Sequence, residues 1–303
     1  DDDDSDDSSS DEEEVEPTKK KARVAETSNK NSTASKNNKK QEPKQNKKSK
    51  KKNGDKKSKN EPEIIQVDFN FCDMDEKYFH GIKTHLLTEA MYAPFSSGLA
   101  DMMVENVSVG TVISCDDGQD NVFGLASVLR VMSGEEGDCI KAIKESCMNH
   151  CPKQHKKEMD IVLSGKTKRP AGFLIHSRMV NLPLEITLIL HQQLVLDMDW
   201  AVQHAEGGEK ERKSLDFGAF ILLAPCTHGT DDGSSLIYKK FDDEVFSTHA
   251  EYVFTFDAPK RLADQDKPEK QLVTAIVLTK TGHRAALKEL EQMIGTGTGT
   301  TVL

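Results

Sequence analysis

The chain has 303 residues, with 41 Lys+Arg against 51 Asp+Glu and a formal net charge of −10. The charge is unevenly divided: residues 1–62 hold 17 basic and 15 acidic side chains, and residues 63–303 hold 24 and 36. So acidic a body repels phosphate backbones, which argues against direct nucleic-acid binding by it. No apolar run approaches the ~18–20 residues of a membrane span, which argues against a membrane partner.

The first 62 residues open on DDDDSDDSSSDEEEVE and continue through two lysine-rich stretches. The chain begins with Asp rather than Met, so further residues upstream are expected. With almost no apolar surface to bury, nothing offsets the entropy cost of ordering this segment, and a disordered acidic/basic tail is predicted over 1–62. Lys19, Lys20, Lys21 and Arg23 form one basic cluster behind Pro17; Lys47, Lys48, Lys50, Lys51 and Lys52 form a second. Basic clusters on an extended segment fit the acidic groove of a nuclear import receptor. Nuclear localisation, with shuttling to the cytoplasm, is therefore expected. The alternative is a polybasic tail that holds RNA or anionic surfaces without specificity. Ser8, Ser9 and Ser10 each have an acid three residues on, the pattern an acid-directed kinase uses.

From Ile64 the chain reads as one folded domain, 63–294. Ile65, Val67, Phe69 and Phe71 alternate with polar residues, which predicts a half-buried strand. Asp73 or Asp75 can cap a following helix with Phe79, Ile82 and Leu86 on one face. A short helix is expected around Leu99–Glu105. Residues 109–115 and 121–131 read as two strands of a hairpin across DDGQD. Asp138 to Asn149 is expected to be helical and to stop at Pro152. Residues 153–168 carry no clear pattern. A central strand is predicted over 172–178, and then a long helix from Pro183 to Ala205 with Ile186, Leu190, Leu194 and Met198 on one face. Strands follow at 217–224, 249–257 and 271–279, and a last helix at about 282–294. The glycine–threonine end, 295–303, has little to pack and is expected to be flexible. Interleaved strands and helices give an α/β class around one mixed sheet.

Several apparent reaction centres fail on inspection. Cys147, His150, Cys151 and His155 are zinc-type ligands within nine residues, but one helix end would have to supply all four around Pro152. No metal site is expected there. The six cysteines are expected to be reduced thiols. GTGTGT follows the last helix, where it cannot cradle phosphate. His176 and Ser177 are strand neighbours and face opposite ways. His80 and His85 read as helix-face residues. The acid clusters Asp116/Asp117/Asp120, Glu135/Glu136/Asp138, Asp231/Asp232 and Asp242/Asp243/Glu244 all fall in predicted loops with no apolar setting. They read as contacts for a lysine- and arginine-rich protein, with Asp116, Asp117, Asp120, Glu135, Glu136 and Asp138 as the foremost candidates.

Four stretches, QVDFNFCDMDEKYFHGIKTHL (66–86), HSRMVNLPLEI (176–186), DWAVQHA (199–205) and HAEYVFTF (249–256), together resemble the BCCIP/Bcp family of animals and fungi. Relatives often read Ser-Glu-Arg where this chain has His176-Ser177-Arg178. The resemblance implies a single α/β domain similar to the GCN5-related N-acetyltransferase fold. Acetyltransferases of that fold seat a cofactor pyrophosphate on the amides of a (Q/R)-x-x-G-x-(G/A) turn. The best match, Arg169-Pro170-Ala171-Gly172-Phe173-Leu174, fails at its last position and loses an amide to Pro170. No catalytic residue and no cofactor is therefore expected, and an acetyltransferase with a degenerate cofactor site is the enzymatic alternative. What the resemblance implies instead is a non-enzymatic nuclear adaptor or chaperone. Its client would be basic, foremost a large-subunit ribosomal protein, in ribosome biogenesis and nuclear export. The other implied role is a cell-cycle and DNA-repair scaffold for a recombination mediator and a cyclin-dependent-kinase inhibitor.

Overall fold

The computed structural model describes residues 23–24, 68–115, 121–131, 137–229, 235–259 and 271–297. Among the described residues, nine strands form one mixed sheet: β1 (Arg23–Val24), β2 (Phe69–Asp73), β3 (Gly110–Cys115), β4 (Gly124–Arg130), β5 (Ala171–Arg178), β6 (Ala219–His228), β7 (Leu236–Tyr238), β8 (Tyr252–Asp257) and β9 (Leu272–Thr279). Their spatial order is β1-β2-β3-β4-β5-β6-β9-β8, and β7 pairs with β6 alone. All pairings are antiparallel except β5 with β6.

Eight α-helices accompany the sheet among the described residues: α1 (Phe79–Thr88), α2 (Ser96–Glu105), α3 (Asp138–His150), α4 (Lys156–Leu163), α5 (Leu184–His204), α6 (Gly208–Ser214), α7 (Phe241–Thr248) and α8 (Lys280–Gly297). One core holds Ile82, Leu86, Leu99, Ile140, Ile143 and Met159 from α1 to α4 against one sheet face. The other holds Leu190, Leu194 and Met198 of α5, Phe246 of α7 and Leu290 of α8 against the opposite face. Each central strand feeds both cores, because alternate side chains point to alternate faces. On β5, Phe173 and Ile175 enter the first core and Leu174 the second.

The expected α/β class is the class observed, and the order of major elements follows the sequence pattern. Asp75 caps the turn ahead of α1 by accepting from the Lys77 amide at 2.9 Å. Pro183 stands just outside α5 as its N-cap rather than inside its first turn. The patternless 153–168 region holds α4, with Met159 and Leu163 buried. The segment expected to be an acidic loop before residue 249 instead holds β7 and α7. Ile65 and Val67 of the first predicted strand lie outside the described residues. So do the two ends, 1–62 and 295–303, apart from β1 and the end of α8.

The parallel join departs from a regular sheet. β5 and β6 are 8 and 10 residues long, yet they share register only over Ala171–Phe173 with Ala219–Ile221. Beyond Phe173 the two strands part, and a wedge opens toward Arg178 and His228. β7 lines the β6 side of that wedge over Cys226–His228.

Candidate functional site: a polar wedge beneath an acidic rim

α7 places two consecutive acids, Asp242 and Asp243, inside the wedge, and neither is exposed at all. The helix is short, but Phe241, Val245 and Phe246 give it an apolar side that packs against α5 and α8. Its acids sit in the first turn, where the helix dipole favours negative charge. The sequence reading placed Asp242 and Asp243 in an open loop. The structure corrects this: the apolar side of α7 carries them inward.

Burial requires partners for them, and β5 and α5 supply these. His176 donates through Nε2 to Asp243 Oδ1 at 2.8 Å, and its Nδ1 lies 3.3 Å from Asp242 Oδ2. His191 of α5 reaches Asp242 Oδ2 through Nε2 at 3.0 Å, and Arg178 donates to Asp242 Oδ1 at 3.0 Å. Burial pushes the Asp242 carboxyl up, but these hydrogen bonds and nearby positive charges outweigh it and hold the group well below its usual range. Burial, the largest influence on it, also lowers His191 from its ordinary value.

Lys240, just ahead of α7, passes between the parted strands. Its Nζ donates to the His176 carbonyl at 2.9 Å, in the stretch of β5 that has no β6 partner. It also lies 3.4 Å from Glu89, at the end of α1 on the other side of the sheet, and 3.8 Å from Asp243. Burial alone would pull this ammonium down; the carboxylates of Asp243, Glu89 and Asp242 overcome that and hold it above its ordinary value. One lysine thus fills the polar gap that the parting leaves.

As expected, Ser177 points away from His176. It faces His85 of α1 at 3.3 Å, and His85 also bonds the Val122 carbonyl at 2.8 Å. His85 is therefore a buried link between α1 and the sheet.

Arg169 to Leu174 forms no phosphate-binding turn. Residues 171–174 are strand, paired with β4 on one side and through Phe173 with β6 on the other. Gly172 is needed for packing: a Cβ there would stand 2.3 Å from Val128 Cγ1 and 3.1 Å from the Phe217 ring. Gly172→Ala is accordingly expected to cost about 1–3 kcal/mol of stability, read as a lower urea midpoint. An unchanged midpoint would show that β4 yields easily here.

The Cys147–His155 stretch likewise forms no ligand cluster. Cys147 and Cys151 turn into the first core, and burial pushes the Cys147 thiol up to about 12. His150 and His155 turn outward and stack on Phe256 and Tyr252 of β8, at 4.5 and 4.2 Å.

The strand directions sort the predicted contact acids. The ends of β3, β5, β6 and β8 and the starts of β2, β4 and β9 share one rim of the sheet. Asp116, Asp117 and Asp120 lie outside the described residues, but the strands flanking them, β3 and β4, meet at this rim. The same holds for Asp231 and Asp232, between β6 and β7. Glu135 and Glu136 also lie outside the described residues, in the segment leaving the opposite end of β4. Asp138 opens α3 on that far side, fully exposed, 3.6 Å from Lys141. The described elements that flank the six foremost candidates therefore lie at two ends of the sheet. Between the two rim segments, straight after β5, stand Met179 and Val180, exposed by 44% and 97%. The Met179 amide is fixed to the Phe123 carbonyl at 2.9 Å, so this apolar pair is held in place. Ser8, Ser9, Ser10 and the basic clusters of the tail lie outside the described residues, except Arg23 in β1. Among the described residues, no helix is long and apolar enough to cross a membrane.

A wedge built from His176-Ser177-Arg178 and the rim residues that follow it lies within the most characteristic stretches of the sequence, and comparison with known proteins settles the family. The BCCIP family model matches residues 64–274. The chain belongs to the BCCIP family. An Arabidopsis thaliana BCCIP homolog is 24% identical over 78% of this chain and 76% of its own length. A Bos taurus relative, named BRCA2 and CDKN1A-interacting protein, is 27% identical over 64% of this chain and 67% of its own length. In three dimensions the chain is similar to BCP1 from Saccharomyces cerevisiae, with a TM-score of 0.56 and 18% identity, over 80% of this chain and 95% of that one. That likeness concerns the fold.

Proposed function

We propose that this BCCIP family member is a non-enzymatic nuclear adaptor or chaperone that binds a basic protein, foremost a large-subunit ribosomal protein. The supporting observation is the exposed apolar pair Met179 and Val180, on the rim where β3 meets β4 on one side and β6 meets β7 on the other; the sequence joining each of those strand pairs is acidic. Acidic segments draw in a basic client and orient it, and exposed apolar side chains give the short-range contact that holds it. The tail serves transport: the clusters at Lys19–Arg23 and Lys47–Lys52 would engage an import receptor, and Ser8 to Ser10 would add negative charge when phosphorylated. Masking the rRNA-binding face of the client until assembly follows from the same rim.

Affinity purification of the full chain at low and moderate salt tests this reading. One basic ribosomal protein should be recovered stoichiometrically and lost as salt rises. Neutralising Asp116, Asp117 and Asp120 together should weaken its binding about tenfold, whereas neutralising Glu135 and Glu136 at the far end should change it little. Equal effects from both sets, or none, would sink the rim assignment. The Bos taurus relative's name supplies the second reading, a scaffold for repair and cell-cycle proteins. Binding through Val180 that ignores salt would favour it.

A further inference from the structure

The polar wedge carries more acid than base. Glu89, Asp242 and Asp243 bring three carboxylates, while Arg178 and Lys240 bring two permanent cations. The permanent cations thus number one fewer than the carboxylates, in surroundings where an unbalanced charge is costly. Among the described residues, His176, His191 and Asp242 are the group whose donor atoms converge as metal ligands do, all within 4.8 Å of one another. Asp242 Oδ2 lies 3.0 Å from His191 Nε2 and 3.3 Å from His176 Nδ1. Ligands about 2.0–2.2 Å from a tetrahedral zinc ion stand roughly 3.3–3.5 Å apart, so two of the three edges are nearly in place.

The surroundings match a metal site in two further ways. A histidine ligand characteristically gives its other ring nitrogen to a carboxylate, which fixes the tautomer and aims the lone pair at the ion. His176 Nε2 has that partner in Asp243 Oδ1 at 2.8 Å, and Asp243 is itself steadied by Lys240. Arg178 takes the opposite oxygen of Asp242, Oδ1, leaving Oδ2 to the cluster. Two imidazoles and one carboxylate suit zinc or a neighbouring late first-row ion, not calcium or magnesium, which take oxygen ligands.

We propose that His176, His191 and Asp242 bind one divalent late first-row cation, zinc foremost, with Asp243 orienting His176 from outside. The ion adds positive charge where carboxylates outnumber the permanent cations, and it ties α7 to β5 and α5. The test uses the full chain, stripped with a chelator and titrated with Zn²⁺ against a chromophoric competitor. Excess Mg²⁺ is present to occupy the oxygen-only acids of residues 1–16. One equivalent per chain should bind and raise the melting temperature. Co²⁺ in its place should show the visible bands of a tetrahedral nitrogen–oxygen site without sulfur charge transfer. His191→Gln should weaken binding at least 100-fold. No bound equivalent in the wild-type chain would overturn the proposal. A sulfur charge-transfer band that is lost in Cys151→Ser would overturn it too, by moving the ion to the Cys147–His155 stretch. If His191→Gln fails to fold, the wild-type stoichiometry and Co²⁺ spectrum still decide.

Discussion

Asp242→Ala is expected to lower the unfolding free energy by about 3–5 kcal/mol, the usual cost of removing one partner from a buried charge cluster. The carboxylate meets Arg178 on one oxygen and His191 and His176 on the other; Asp242 and both histidines are buried, and the Arg178 side chain is only 7% exposed. Without it the Arg178 guanidinium, whose Nε already has no hydrogen-bond partner, would be left with a buried and unbalanced charge. Glu244 is the matched control. It lies one residue beyond Asp243 on the same helix, is exposed, and should change stability by no more than about 0.5 kcal/mol when replaced by alanine. Urea unfolding compares the two. A similar small loss in both would mean that α7 is held by Phe246 and Val245 alone and that the polar wedge adds nothing.

Acid is expected to unfold the protein well above the carboxylate range, through His283. This α8 side chain is wholly buried, and neither ring nitrogen has a hydrogen-bond partner. It stacks on Phe246 at 5.5 Å with the planes 2° apart. Burial, followed by the charges of His191, Arg284 and His176, lowers it to about 3. In the unfolded chain it returns to about 6.5, so the unfolded state takes up a proton that the folded state refuses. This stability is complete above about 6.5 and declines as pH falls toward about 3, at up to about 1.4 kcal/mol per pH unit. By about pH 5 the loss is on the order of 2 kcal/mol. His283→Phe keeps the stack, removes both unpaired nitrogens and should flatten the decline while raising stability at neutral pH. Melting temperatures of the two chains between neutral pH and about pH 5 give the answer. Parallel curves would show that another group governs the acid transition.

The sequence made the elements with long periodic patterns legible. Ile186, Leu190, Leu194 and Met198 announce α5, and the alternation around Phe69 and Phe71 announces β2. The wedge was not legible, for physical reasons. The α7 sequence FDDEVFST is only eight residues long and opens on three acids, so composition read it as a loop. Phe241, Val245 and Phe246, at helical spacing, were the signal that could have recovered it. Nothing in the pattern of β5 and β6 announces that they part after three residues, because both are continuous apolar runs. The partners of His176 come from 15 and about 65 residues away along the chain, a distance no local pattern spans. In the sequence, Arg169–Leu174 fails as a phosphate turn at Leu174 and through Pro170. The structure adds a further reason, since the following amides belong to the sheet.

The parting of β5 from β6 also divides the chain in time. Strands β2 to β5 all lie within residues 69–178, and β6 to β9 within 219–279, so each half-sheet pairs only with strands of its own half apart from the short join. A ribosome delivers the first half-sheet complete while Lys240, Asp242 and Asp243 are still unmade. His176 and Arg178 must wait, hydrated and unpartnered, until α7 arrives from the second half. The wedge is thus the keystone of the assembly: a polar piece that cannot be set until the second half is made, and one that joins two successive products of synthesis into a single body.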